Sequence, residues 1–287
     1  MTTTTVAFNK LSSQKLSGQQ LSNDVRMPAG QVWRAYWTEA KYEMLRACRA
    51  PAFAIPFFAM PIVFYVLVGI FLVGSMSKGD PHIIPTMFVN WATFGVMGPG
   101  MFGFGMFVAT EREQGLLRLK RALPMPTSSY VLAKMAMTMM FAFIIMITLI
   151  VAAVFVGHAH LTAGQYALIT LIDLLGSLLF CSIGLFIGTW ASAKSAPAFV
   201  NLAYLPMMHL GGLFYPLPKS IQPVEFFSPA FYLNKLNLYV AGAQSMDGLA
   251  FGAGPTSHAT PVLCIAVIIA VTLFFGLLAT RRLKRLG

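Results

Sequence analysis

Six stretches of apolar, almost uncharged residues divide this 287-residue sequence, at about 52–74, 84–110, 135–157, 166–190, 196–217 and 261–280. At 1.5 Å rise per residue, about 20 helical residues cross the roughly 30 Å hydrocarbon layer of a bilayer. Inside that layer a chain must satisfy its own backbone hydrogen bonds, which leaves helices or a closed barrel. A barrel would show short alternating segments rather than long continuous runs. The pattern therefore predicts an all-α integral membrane protein with six transmembrane helices. Composition agrees: 57% of residues are hydrophobic and 10% charged, where a soluble domain is about a quarter charged.

The formal net charge of +11 raises nucleic acid as a partner, but its distribution argues against one. Seven Lys and Arg precede the first block, five lie between the second and third, one between the fourth and fifth, and four follow the last. The alternate connections hold one, none and two. Cationic loops stay cytoplasmic, so the expected topology is multi-pass in a bacterial-type inner (plasma) membrane, with both termini in the cytosol. Anionic membrane lipids are natural contacts for the excess. Residues 1–30, rich in Thr, Ser and Gln, read as a disordered cytosolic tail rather than a signal peptide.

Residues 31–50 place Trp33, Tyr36, Trp37, Ala40, Met44, Ala47 and Cys48 at three- and four-residue spacing, with Arg34, Lys41 and Arg46 in other directions. That is an amphipathic helix lying along the cytosolic interface, as an anchor or a partner-docking element. The second block carries Gly95, Gly98, Gly100, Gly103 and Gly105, and the fourth a GxxxG at Gly184 and Gly188. Small residues let helices approach closely, within one chain, across a dimer seam or at a moving gate. The segment 216–260 has four prolines before an aromatic run, and Ser228-Pro229 suits a helix start. It is expected to dip back into the outer interface as one or two short re-entrant helices.

Charge concentrates between the second and third blocks, in EREQGLLRLKRALPMPTSSYVLAK, residues 111–134. Leu116, Leu119 and Leu123 share a face of a short helix that Pro124 and Pro126 must end. Thr127 or Ser128 can cap the next helix, through Tyr130 and Lys134 into the third block. Such a helix, tethered at both ends to spans, can transmit a push; a solvated loop is the alternative.

Glu-Arg-Glu-x-Gly, then Leu-Pro, then Tyr-x-x-x-Lys resembles the cytoplasmic signature of type-2 permeases of ATP-binding-cassette transporters. Glu111, Arg112, Glu113, Gly115, Leu123, Pro124, Tyr130 and Lys134 carry the match, while Leu116 stands where the family often has Ser or Thr. The resemblance implies a six-span transmembrane domain over 51–287 and a coupling helix within 111–134 that seats in a separate ATPase subunit. It further implies a second permease protomer, as a homodimer or sibling heterodimer. ATP and Mg would belong to the ATPase, since no GxxxxGK[ST] phosphate loop is found in the sequence. The expected function is export of a hydrophobic or amphipathic small molecule, with a polysaccharide, lipid-linked glycan or peptide as alternative cargo.

Asp173 is the only carboxylate within a block, about 10 Å from the outer end by the sequence boundaries. An ionisable group there faces a partner or a pathway, and Asn201 and His209 are its candidate companions in the transport path. An ion-coupled secondary transporter built on Asp173 is the rival from another class. His158 and His160 lack a third ligand, Met135, Met137, Met139 and Met140 read as packing groups, and neither metal nor catalytic residues are expected. Cys48, Cys181 and Cys264 have no metal-type spacing and read as inert buried thiols.

Overall fold

A computed structural model describes residues 29–76, 81–117, 119, 127–214, 222–242 and 260–285. Residues 1–28 of the expected tail and residues 216–221 and 243–259 of the external segment lie outside the described residues. Helix α1 is Ala29–Cys48; α2 is Pro51–Phe64, continuing as a π-helix over Tyr65–Gly74. Then come α3 (Ile83–Glu113), α4 (Thr127–Phe155), α5 (Ala163–Trp190) and α6 (Ala196–Leu210). A 3-10 turn at Gln222–Phe227 leads into α7 (Pro229–Ala241), and α8 is Pro261–Arg285. The described residues contain no strand.

Among the described residues, five helices are long and apolar enough to cross a membrane: Ile55–Gly74, α3, Ser129–Phe155, α5 and Pro261–Leu283. The sixth expected span, 196–217, is not among them. Helix α6 has 15 residues, about 22 Å at 1.5 Å each, and stops at Gly211, with Gly212 following at φ +65°. Pro206 sits inside it and removes one backbone donor.

Helix α3 is apolar all round and is accordingly central. It packs against α2, α4, α5, α6 and α7. Helices α2 and α8 have few buried positions and present Leu67, Phe71, Ile269, Leu273 and Phe274 outward. Helix α5 begins with reciprocal bonds: Gln165 N–H donates to Thr162 Oγ1 (3.3 Å), and Thr162 N–H to Gln165 Oε1 (2.8 Å).

The GxxxG glycines act within the chain. A Cβ at Gly184 would stand 2.5 Å from the Met101 carbonyl oxygen, and one at Gly188 2.9 Å from that of Phe104. Helices α3 and α5 therefore touch backbone to backbone, which fixes the C-terminal half of α3 against that of α5.

Helix α7 is buried on most sides, between α3, α5 and α8. Its Leu233 meets Gly176, Asn237 meets Asp173, and the Val240 carbonyl accepts from Gln165 Nε2 (3.0 Å). These pairs run in opposite order, so α7 is antiparallel to α5. Pro229 opens α7 as expected, but Ser228 does not cap it; its hydroxyl donates to the Met207 carbonyl on α6 (2.8 Å).

Candidate functional site: an ion cluster at the end of the central helix

The last turn of α3 supplies three successive side chains, and each is tied to a different element. Glu111 is fully buried. It accepts from Lys134 Nζ (2.9 Å) and the Tyr130 hydroxyl, both on α4, and from the Arg46 guanidinium on α1. Lys134 Nζ also donates to Glu43 Oε2 on α1 (2.9 Å). Tyr130 and Lys134 are four residues apart, one helical turn, so both reach the same carboxylate. Two carboxylates thus face two cations, with the Phe107 ring 5.2 Å from the Arg46 guanidinium and 5.6 Å from Lys134 Nζ.

Arg112 turns the other way. Its guanidinium donates to the Thr189 carbonyl and to that of Ala191 (2.7 Å), at the end of α5. The last carbonyls of a helix lack internal partners and carry partial negative charge, so a cation satisfies both needs. Glu113 is exposed, and its Oε1 accepts from the Ala193 N–H (3.0 Å) in the turn between α5 and α6. The motif therefore joins α1, the end of α3, the start of α4, the end of α5 and the turn that leads into α6.

The chain then reverses direction. Gly115 has φ +73°, a left-handed conformation that costs other L-residues about 1–2 kcal/mol, and its N–H bonds the Arg112 carbonyl (3.2 Å). Leu116 and Leu117 resume helical geometry, and Leu119 N–H donates to the Gly115 carbonyl (3.2 Å). Leu116 is half-buried, whereas Leu119 is 62% exposed. Leu123 and Pro124 lie outside the described residues.

Helix α1 lies against α4 along Glu43 and Ala47, leaving Trp33 and Trp37 about 70% exposed (73% and 70%). Cys48 is exposed rather than buried, unlike Cys181 and Cys264; it lies where α1 ends and the chain turns into α2. Asp173 is buried ten residues past Ala163, about 15 Å along α5. Its partner is Asn237, whose Nδ2 donates to Oδ1 (2.7 Å). Asn201 and His209 stand on exposed positions of α6, where His209 Nδ1 pairs with the Leu205 carbonyl (2.8 Å). They are not brought to Asp173.

Sequence reasoning did not single out Glu43 as a member of the cluster. The available signal was Lys134, a cation at the start of an apolar helix, where a buried partner is required. It also missed Asn234 and Asn237, three residues apart and so on one face of α7.

Apolar helices tied together at one end by this ion cluster define a multi-pass membrane protein. The ABC-2 type transporter family matches residues 34–246, from α1 to beyond α7. The chain belongs to that family, whose members are membrane transport subunits rather than catalytic domains and normally work with an ATPase partner. It is also similar to a protein of Bacillus subtilis (strain 168) named "Putative transport permease YvfS". The two are 24% identical over 196 residues, covering 66% of this chain and 78% of that protein.

Proposed function

We propose that this chain is the permease subunit of an ATP-driven exporter, pairing with a second protomer and with a separate ATPase that holds ATP and Mg. The observation that carries this reading is the convergence of Glu111, Arg112 and Glu113 on three other helices and on the turn that leads into α6. A force applied just beyond Gly115 reaches α1, α4, α5 and that turn together through bonds to charged side chains. The exposed Leu119 is the contact for the ATPase in this scheme, within the coupling segment 111–134.

Both termini lie in the cytosol of an inner membrane in this reading, and α6 and α7 together complete the sixth crossing. Helix α7, buried beside α3 and α5, is the re-entrant element that shapes the outer gate. The cargo in this reading is a hydrophobic or amphipathic small molecule.

The test is co-purification with the candidate ATPase and measurement of transport-linked ATP turnover. Leu119→Asp and Glu113→Lys are expected to keep the permease folded while weakening the complex and its turnover. Unchanged complex and turnover in both variants would remove the proposal. Labelling of a cysteine introduced at position 119 from the periplasmic side would do the same.

A further inference from the structure

Polar side chains of α3, α5 and α7 meet in an otherwise apolar layer. Asn237 Nδ2 donates to Asp173 Oδ1 (2.7 Å) and to Thr93 Oγ1 (3.3 Å), and Asn234 Nδ2 donates to Asn90 Oδ1 (3.1 Å). All five residues are at most 1% exposed. Four of their polar atoms nevertheless have no partner: Asp173 Oδ2, Asn237 Oδ1, Asn234 Oδ1 and Asn90 Nδ2. Buried polar groups are normally satisfied, so four orphans in one place point to something that occupies it.

Three of the four are oxygens, and one belongs to a carboxyl group. An ionised carboxylate without a cation is strongly disfavoured in such surroundings. Among the described residues, no Lys, Arg or His forms an ion pair with Asp173. On α7, Lys235 stands 5.7 Å from the Tyr239 ring and feels Glu225 and Cys264 of α8. On α5 the nearest titratable group is Tyr166, two turns toward the start of the helix. Helix α3 contributes only Asn90 and Thr93. Lys134 of α4 is held by Glu43 and Glu111, and His209 of α6 pairs with its own helix.

We propose that this polar cluster takes up one monovalent positive charge, and that its uptake seats α7 between α3 and α5. The charge is either a proton on Asp173 Oδ2, which then donates to an orphan Asn oxygen, or an alkali ion among the three unpartnered oxygens and Thr93 Oγ1. Both neutralise the carboxyl group and satisfy acceptors that the protein leaves open. The inference concerns a site inside the membrane domain and stands independently of the ATPase partnership.

Thermal unfolding of the purified full chain in lipid nanodiscs tests it. One arm varies pH in choline chloride. The other compares lithium, sodium, potassium and choline chloride at fixed pH and ionic strength. A melting temperature that rises as pH falls identifies the proton, and one that rises with an alkali ion over choline identifies the ion. Asp173→Asn, nearly the same shape, is expected to abolish whichever dependence is found. Thr93→Val keeps the carboxyl group and removes one oxygen, so it should weaken an alkali-ion response and leave a proton response in place. A wild-type protein indifferent to both series overturns the proposal, as does a dependence that Asp173→Asn retains. If Asp173→Asn does not assemble, the wild-type series and Thr93→Val still decide.

Discussion

Removing the Lys134 ammonium, as in Lys134→Met, deprives two buried carboxylates of the cation between them. The Met side chain keeps the apolar stem in place, so the change is mainly one of charge. Deleting one member of a buried ion pair costs about 3–5 kcal/mol, because the remaining charge stays desolvated. Glu111 keeps the Tyr130 hydroxyl and the Arg46 guanidinium. These two remaining partners put the expected loss near the lower end, about 3 kcal/mol, although Arg46 is 39% exposed and solvent screening weakens its share. At roughly 2–4 °C per kcal/mol for a chain of this size, the melting temperature should fall by roughly 6–12 °C. Thermal unfolding in detergent measures this, and fluorescence of Trp33 and Trp37 reports α1 leaving α4. The stronger test is a cycle with Glu111→Gln. If the two groups are coupled as their 2.9 Å contact indicates, the double variant should be more stable than the summed single losses by about 1 kcal/mol or more. Additivity within about 0.5 kcal/mol would refute the cluster as the tie between α1, α3 and α4.

Three further outcomes are expected. Gly184→Val must push α5 off the Met101 and Gly100 carbonyls, both closer than 3.0 Å to a Cβ there; overpacking of this kind costs about 1–3 kcal/mol, readable as a lower melting temperature with loss of folded yield. Arg112→Gln breaks two bonds to the end of α5, so hydrogen exchange should accelerate over residues 189–195 while α1 and α4 keep their protection. Gly115→Ala meets nothing within 4 Å, so its cost is the left-handed backbone alone, about 1–2 kcal/mol. It should misdirect the segment after α3 and lower stimulated ATP turnover without preventing membrane insertion.

Much of the fold was legible because lipid imposes it. Five long apolar helices follow from the length of uncharged runs, and α1 follows from aromatic periodicity beside cations. Helix α6 was overestimated for a physical reason. Residues 211–217 are apolar enough to extend the run, but hydropathy does not register that Gly211 and Gly212 end a helix. The partner of Asp173 was equally hidden. Asn237 comes from a segment that sequence assigns to the outer surface, and only the packing of α7 beside α5 brings it within 2.7 Å. Glu43 escaped notice because a carboxylate on a polar helix flank is usually solvated; its burial follows from Lys134, 91 residues away.

The signature at 111–134 is better understood as a set of bonds than as a string. Glu111 and Arg112 are adjacent yet point in different directions, one toward α1 and α4 and the other toward the end of α5. A helix turns about 100° per residue, so three consecutive charged residues at the end of a central helix reach three different neighbours. Tyr130 and Lys134 need their four-residue spacing to meet Glu111 from one face of α4. Gly115 is needed because the chain must reverse immediately after the last of these bonds. The backbone contact of α3 with α5 through Gly184 and Gly188 then limits how far either helix can slide past the other. These bonds tie one end of α1, α3, α4 and α5 together, so under the proposed function a displacement delivered at the turn is shared among them whatever cargo the protein carries.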